Sequence, residues 1–437
     1  MKLEQIERLP RFSLPLNLDR ISTILSELDL LNPDFRWVHV AGTKGKGSTC
    51  VFLANILVEA KYKVGLFLSP HLCSPNERIS LQLDPISQEN IEKTSRILDE
   101  VLQRLSIHDI SFFEYWTALA LLIFRENHVD IAIIETGLGG RLDATNAIQN
   151  PLLSVITLIG RDHTDRLGFT VEEIAREKAG IIRQNTPVLS ACQLPAVEEI
   201  LKTTAIRHHS KYYSIYTDYD ISFEKGNGFE PGKMNLISYL SGMAYTGLEV
   251  SLIGKHQLQN ASLALSATEI LAKKGFCVDE RIIREGLKKA FLPGRMERIS
   301  YQNRTILLDG AHNPESFQAL KEALSERFPE RKFNVLFGSL KTKLYAENIQ
   351  ILSGIASKIW LTPIPGHDSV TSTEEFNTFG QIIFSLNSSK ETVLSTFIQQ
   401  SDPGDILIVT GSLYLVGWIR QQLIPGEKLR YKTSKEA

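Results

Sequence analysis

The chain is 437 residues long, 43% hydrophobic and 22% charged: long enough for two domains, and too ordinary in composition for wholesale disorder. A formal net charge of −2 gives bulk electrostatics no reason to favour nucleic acid or an anionic membrane as partner. The four cysteines lack C-x-x-C spacing, so neither a zinc site nor a disulfide framework is expected, and a reducing, cytoplasmic setting fits them.

The opening "MKLEQIERLPRF" carries charges where a signal peptide needs an apolar core. The first buried strand is "RWVHVAG", which runs into "TKGKGST" at 43–49. After it, "KGSTCVFLANILVEA" repeats apolar residues at helical spacing. Glycine-rich backbone at a helix start offers bare N–H groups to anionic oxygens. Lys46 adds a point charge, and Ser48 or Thr49 a hydroxyl for Mg²⁺, so a nucleotide phosphate is the expected ligand. The spacing departs from G-x-x-x-x-G-K-[ST], because Gly47 separates Lys46 from Ser48.

"KVGLFLS" (63–69) reads as the next strand and "EYWTALALLIFREN" as a helix. The most apolar run of that helix, 116–124, falls far short of the ~20 residues a spanning helix needs. "VDIAIIETG" is a strand that ends at Glu135. An acid at the carboxyl end of a buried parallel strand lies where open α/β sheets bind ligands, and beside a phosphate loop it reads as a Mg²⁺ ligand. Glycines 137, 139 and 140 leave room for substrate. "LLSVITLIG" is another strand, and "RDHTDRLG" after it puts His163 on the same rim, where imidazole can complete an oxygen-rich metal shell.

"TVEEIAREKAGII" follows as a helix with Thr170 as N-cap. Within it, Lys178 has Ile174, Ala175, Ile181 and Ile182 three and four positions away, which places it on the apolar stripe. Two readings stay open: a lysine that snorkels to water, or a buried amine with a lowered pKa. "TPVLSA" is a strand, residues 207–255 read as antiparallel hairpins, and 256–290 as helical. "FLPGRMERI" (291–299) is a hinge candidate that contains Arg295. A second α/β series follows in "TILLDGAHNPESFQALKEAL", "KFNVLFGSL", "SKIWLTPI" and "DILIVTGSLYLVGWI". Asp309 and His312 stand there at a strand end before a helix. Two α/β domains, 1–294 and 295–437, are expected.

In order along the chain, "AGTKGKGST", "LFLSPHL...ERI", "FFEYWTALAL", "ETGLGGRLDATN", "DHTDRLG", "EKAGII", "HQLQNASLAL", "PGRMER", "DGAHNPES" and "GSLYLVG" resemble the folylpolyglutamate synthase / dihydrofolate synthase family of the Mur ligase superfamily. The resemblance covers nearly the whole chain. It implies a P-loop-containing parallel-sheet ATPase domain with a small antiparallel insertion, and a smaller Rossmann-like α/β domain after it. It also implies amide ligation dependent on ATP and Mg²⁺. A folate or pteroate carboxylate attacks the γ-phosphoryl group, and the amino group of L-glutamate then displaces phosphate from the acyl phosphate.

By the same resemblance, Gly45, Lys46, Gly47, Ser48 and Thr49 form the ATP loop, and Ser69, Glu135 and His163 are metal-site positions. Lys178 matches a lysine that family members carry as a carbamate. Asn260 matches an adenine contact and Arg295 a phosphate contact. Asp309 and His312 match contacts from the C-terminal domain at the nucleotide. Lys46, Lys178 and His312 are the candidate catalytic residues. Phe113 and Asp143 match pterin-holding positions of bifunctional bacterial members, and the monomer is the expected state.

Two departures bear on the form of folate used. Lys44 occupies a position often held by asparagine in bacterial members, and "GRDHTDRLG" carries arginines where apolar or aromatic residues are common. A peptidoglycan-precursor ligase of the same superfamily is one rival, which Phe113 and Asp143 speak against. A P-loop switch is another; the chain has no N-K-x-D guanine-reading motif and would leave its second domain unexplained.

Overall fold

The apolar runs of the first half assemble into one sheet. In chain order its strands are β1 (Arg36–Ala41), β2 (Val64–Phe67), β3 (Ile79–Leu81), β4 (Asp84–Pro85), β5 (Ile131–Glu135), β6 (Leu153–Ile156), β7 (Val188–Ser190) and β8 (Tyr212–Ser214). They lie in the order β4-β3-β2-β5-β1-β6-β7-β8. The six strands from β2 to β8 across the sheet are parallel, and β3 and β4 add an antiparallel edge. The computed structural model describes residues 1–11, 17–341, 343–370, 383–385, 392–426 and 429–432.

β1 and β5 are near-continuous apolar runs because both faces of the sheet are covered. Val38, Val40 and Ile133 point into a core shared with the helices Lys46–Glu59, Lys255–Ala272 and Glu280–Lys289. Trp37, Ala132 and Ile134 point the other way, toward the helices Asp19–Glu27, Gln88–Arg104 and Phe112–Glu126. The run 116–124 is therefore a core helix, started by a Ser111–Glu114 capping box. No described helix is long and apolar enough to cross a membrane.

β9 (Tyr219–Glu224), β10 (Gly232–Ser238) and β11 (Ala244–Val250) form a separate antiparallel sheet whose Met234, Leu236 and Leu248 share the core of the helix Lys255–Ala272. The hairpin expectation for 207–255 holds there and fails at Tyr212–Ser214. That segment is β8, paired parallel to β7 with Val188 opposite Tyr212. The helix Pro195–Arg207 supplies the crossover that a parallel neighbour needs, and aromatic composition carries no information about partner direction.

The second half builds another sheet from β12 (Glu297–Tyr301), β13 (Arg304–Leu308), β14 (Phe333–Phe337), β15 (Ala356–Leu361), β16 (Ile383–Ser385) and β17 (Ile406–Thr410), in the order β12-β13-β17-β14-β15-β16. Among the described strands only β12 runs antiparallel in it. The chain crosses between the halves at 290–294 and then returns. Tyr431 accepts hydrogen bonds at its carbonyl from Asn55 Nδ2 (2.8 Å) and the Phe291 N–H (3.2 Å), and its ring lies in the first sheet's core. Linker and tail thus run side by side.

Candidate active site

Three strand ends meet at one rim. β1 lies between β5 and β6, with Val40 opposite Glu135 and Ala41 opposite Ile156. From β1 the chain passes to β2 and β5 on one side and only then to β6 on the other, which opens a crevice at the carboxyl ends of the strands. A cavity of about 930 Å³ fills that crevice, walled by the first sheet's loops and by the second half of the chain.

The glycine loop follows β1. Gly45 has φ 85°, and a β-carbon there would fall 2.1 Å from Asn260 Oδ1, so both the backbone and the approach of Asn260 require glycine. The helix Lys46–Glu59 starts at once, and its first N–H groups have no intrahelical acceptor. Gly45, Lys46, Gly47 and Ser48 line the cavity. Thr49 Oγ1 is buried and has no protein partner among the described residues.

Glu135 faces this loop, with Oε1 3.8 Å from Lys46 Nζ and Oε2 accepting the Ser69 N–H at 2.8 Å. Burial pushes its carboxyl above the usual range, opposed first by Lys46. His163 stands on the cavity wall, open to solvent. A hard cation wants oxygen ligands and keeps positions for phosphate and water. Glu135 and Ser69 supply such oxygens, with Ser48 and His163 lining the same space, so the set fits Mg²⁺. Among the described residues no three His, Cys, Asp or Glu side chains converge as a cage.

Lys178 is 4% exposed, which decides against snorkelling. Its Nζ donates to the Gly42 carbonyl at 2.8 Å, beneath the loop. Burial lowers its pKa to about 7, with the charge of Lys46 adding to the shift. The helix that carries it is started by Thr170, whose side chain accepts the Glu173 N–H, as the sequence reading expected.

On the aromatic side, the Phe113 ring packs on Gly137, where a β-carbon would fall 2.5 Å from Cζ, and lies 5.7 Å from the Phe67 ring. Asp143 is buried. Its Oδ2 accepts the Leu138 N–H (2.8 Å), and its Oδ1 accepts the Thr145 N–H (3.1 Å) and hydroxyl (2.5 Å). These bonds fold the 137–147 loop, and Asp143 also lines the cavity.

The second half closes the opposite wall. Asp309 accepts the N–H groups of Met296 and Ala311, both at 3.0 Å. Arg295 lies against Gly310, where a β-carbon would fall 2.5 Å from Nη1. His312 Nδ1 donates to the Gly310 carbonyl at 2.9 Å; because a carbonyl only accepts, the lone pair is left on Nε2. Burial holds that imidazole below its ordinary pKa. Lys44 forms an ion pair with Glu315, which joins the loop to the second half.

Sequence reasoning missed Arg11, His71 and Arg78, which also line the cavity. The available signal was "PNERI", an arginine at the mouth of a short strand next to the "SPHL" loop.

Residues 40–268 match the Mur ligase middle domain and residues 294–413 the Mur ligase glutamate ligase domain. Fold and site together define an ATP-dependent ligase of the Mur type. The chain is 36% identical over 420 residues to the dihydrofolate synthase/folylpolyglutamate synthase of Bacillus subtilis, covering 94% of this chain and 96% of that protein. The structure of Mycobacterium tuberculosis folylpolyglutamate synthase complexed with ADP superimposes with a TM-score of 0.87 at 27% identity, over 98% of both chains. Escherichia coli FolC in complex with DHPP and ADP does so with a TM-score of 0.83 at 28% identity, over 96% of both. The chain belongs to the dihydrofolate synthase/folylpolyglutamate synthase family, Mur-type ligases that add glutamate to folates at the expense of ATP. That membership sets aside the peptidoglycan and switch readings.

Proposed function

We propose that this chain joins L-glutamate both to dihydropteroate and to tetrahydrofolate or its polyglutamates, through an acyl phosphate. One observation carries the reading: the loop at 45–48 and Glu135 form one wall of a cavity whose other wall holds Arg295, Asp309 and His312, with Lys178 bonded to Gly42 behind the loop. The triphosphate lies along the loop N–H groups, with Lys46 and Arg295 neutralising charge that builds on the transferred phosphoryl group. Asn260, packed on Gly45, takes the adenine contact that the family resemblance implies.

Glu135, with Ser69 and His163, would hold Mg²⁺, which would supply further charge neutralisation at the phosphates. The substrate carboxylate forms its bond to γ-phosphorus as ADP leaves. The amine of glutamate then attacks the acyl carbon, phosphate departs, and the amine sheds a proton, for which the free Nε2 of His312 is the acceptor. An acyl phosphate hydrolyses readily, so the second half must cover it; Pro293–Gly294 is the hinge and 294/295 the boundary between the domains.

Phe113 offers a stacking face to the pterin, and Asp143 acceptors for its amino group. The same site then serves both substrates. The experiment is glutamate-dependent ADP release from purified protein with ATP, Mg²⁺, L-glutamate and either dihydropteroate or tetrahydrofolate. Both are expected to support it. Release with tetrahydrofolate alone would remove the dihydrofolate synthase half, and release with neither would remove the folate reading.

A further inference from the structure

Asn146 is a buried amide, 3% exposed, that is not among the residues lining the cavity. Its Nδ2 donates to the carbonyl of Arg141 at 2.9 Å and to that of Gly180 at 3.0 Å. Its Oδ1 and its own backbone carbonyl both accept Arg183 Nη2, the former at 3.0 Å. The two carbonyls fix which way the amide faces, since turned over it would set oxygen against oxygen. Gly180 ends the helix Val171–Ala179, which carries Lys178. The last carbonyls of a helix have no partner within it. Here the 137–147 loop supplies donors: Asn146 for the Gly180 carbonyl, and the Arg141 N–H, at 2.8 Å, for that of Glu177.

The loop lies tight against that helix end. A β-carbon at Gly140 would fall 2.8 Å from the Glu177 carbonyl oxygen and 3.0 Å from that of Lys178. Arg141 also pairs with Glu177 Oε1 through Nε (3.0 Å) and Nη2 (2.9 Å), but that pair faces water and adds little; the buried amide is the firmer hold. Lys178 is thus held at both ends, its backbone by the loop and its Nζ by the Gly42 carbonyl at 2.8 Å. The stem between them is a flexible four-carbon chain, so the place of the amine follows the place of the backbone. Resting on the reading above, in which Lys178 backs the loop that takes the triphosphate, we propose that Asn146 is a positioning residue for Lys178. Its amide fixes the helix end so that the amine stands beneath the loop, and it acts on the rate without touching a substrate.

The experiment reads rate and geometry separately. Asn146→Asp keeps an oxygen for Arg183 and replaces the two N–H donors by a second oxygen. Asn146→Ser keeps one short donor, and Arg183→Met leaves both Asn146 N–H bonds in place. Each is assayed below its melting range for glutamate-dependent ADP release with dihydropteroate, with kcat and KM determined apart. In Asn146→Asp kcat is expected to fall about 10- to 100-fold, the range for a group misplaced by about 1 Å, while the KM for dihydropteroate changes less than about 3-fold. Asn146→Ser should lose less, and Arg183→Met should stay near wild type. A crystal structure of Asn146→Asp should show Lys178 Nζ displaced by about 1 Å or more from the Gly42 carbonyl. Should that variant not fold, the same readings are taken on Asn146→Ser. An unmoved amine, or a loss confined to the KM for dihydropteroate, would overturn the proposal and leave Asn146 as a residue that only shapes the loop bearing Asp143. Lys178→Ala is assayed beside them. If it loses rate while both Asn146 variants keep theirs, the proposal alone is overturned; if it keeps the wild-type kcat, the role of Lys178 fails and takes the proposal with it.

Discussion

Lys178 Nζ lies 2.8 Å from the carbonyl oxygen of Gly42, so an amine buried in one helix props up the glycine loop after β1. With a folded pKa of about 7 against an ordinary 10.5, this lysine binds fewer protons folded than unfolded between those values. Its burial therefore penalises the fold fully below about pH 7, and the penalty fades as pH rises toward the unfolded value. In CO₂-free buffer, Lys178→Met should gain thermal stability over wild type at about pH 6, with the gain shrinking toward pH 9, while ligase activity is lost. A Tm difference that is flat with pH would mean the lysine carries the same charge folded and unfolded.

A partly neutral amine at physiological pH can add CO₂, forming a carbamate and releasing one proton. The carbamate would be an anion beside the loop and Lys46, next to the proposed Mg²⁺ site. Activity should therefore rise with added bicarbonate, and Lys178→Ala should recover part of its lost activity in millimolar acetate. ¹³C-labelled bicarbonate should give a carbamate NMR signal that the Ala variant lacks. Activity indifferent to bicarbonate, together with no such signal, would leave Lys178 as a plain amine.

Glu135→Gln keeps the shape of the side chain and the Ser69 N–H contact while removing the charge opposite Lys46. Turnover should fall about 100- to 1000-fold, the range for losing one preorganised electrostatic group. Because burial raises the Glu135 carboxyl, the variant should be as stable as wild type or more so, which separates lost chemistry from lost fold. A variant with near-normal turnover and an unchanged Mg²⁺ requirement would take Glu135 out of the metal site.

The glycine loop and the strand-end acid were legible as structure because their signals are local: glycines, a lysine and hydroxyls between a strand and a helix, and a carboxylate closing an apolar run. Lys178 was half legible, since helical spacing put it on the apolar stripe but only the packing showed it buried. Residues 212–214 misled because three aromatic and polar residues favour a strand without saying which neighbour it joins. Arg78 was missed despite its place in "PNERI". In sequence it is an arginine after a glutamate, an ordinary surface pair, and the distant segments bearing Phe112 and Arg11 determine that it is buried. The return of Tyr431 to the first sheet is equally non-local, with Asn55 376 positions away.

Gly417 sits in the helix Leu413–Leu423 against the loop after β2: a β-carbon there would fall 2.1 Å from the Leu72 carbonyl oxygen. Cys73 Sγ also contacts the Gly417 carbonyl at 3.5 Å. Gly417→Ala must push the two halves apart at this point, since backbone on both sides cannot yield as a side chain does. A stability loss of about 1–3 kcal/mol is expected, as for overpacking elsewhere. The same displacement should raise the KM for ATP, whose proposed site spans both walls. Unchanged Tm and KM would show that the halves slide freely here.

Tyr431 tests whether the returning tail steadies the hinge. Its hydroxyl donates to the Glu77 carbonyl at 2.9 Å, its own N–H donates to Leu83 at 3.0 Å, and its carbonyl takes the N–H of Phe291 in the linker. Tyr431→Phe removes one buried hydrogen bond and should cost about 1 kcal/mol, with catalysis kept. Tyr431→Ala also empties the ring's place in the core and should cost about 3–5 kcal/mol. If linker and tail act as a paired hinge, the Ala variant should also close less completely over the acyl phosphate, letting water compete with glutamate. The measurement is the ratio of ADP released to glutamate incorporated, made below the variant's melting range. The ratio should stay near one for wild type and Tyr431→Phe and rise for Tyr431→Ala. A ratio of one in the destabilised Ala variant would make the tail a fastening for the fold with no part in closure.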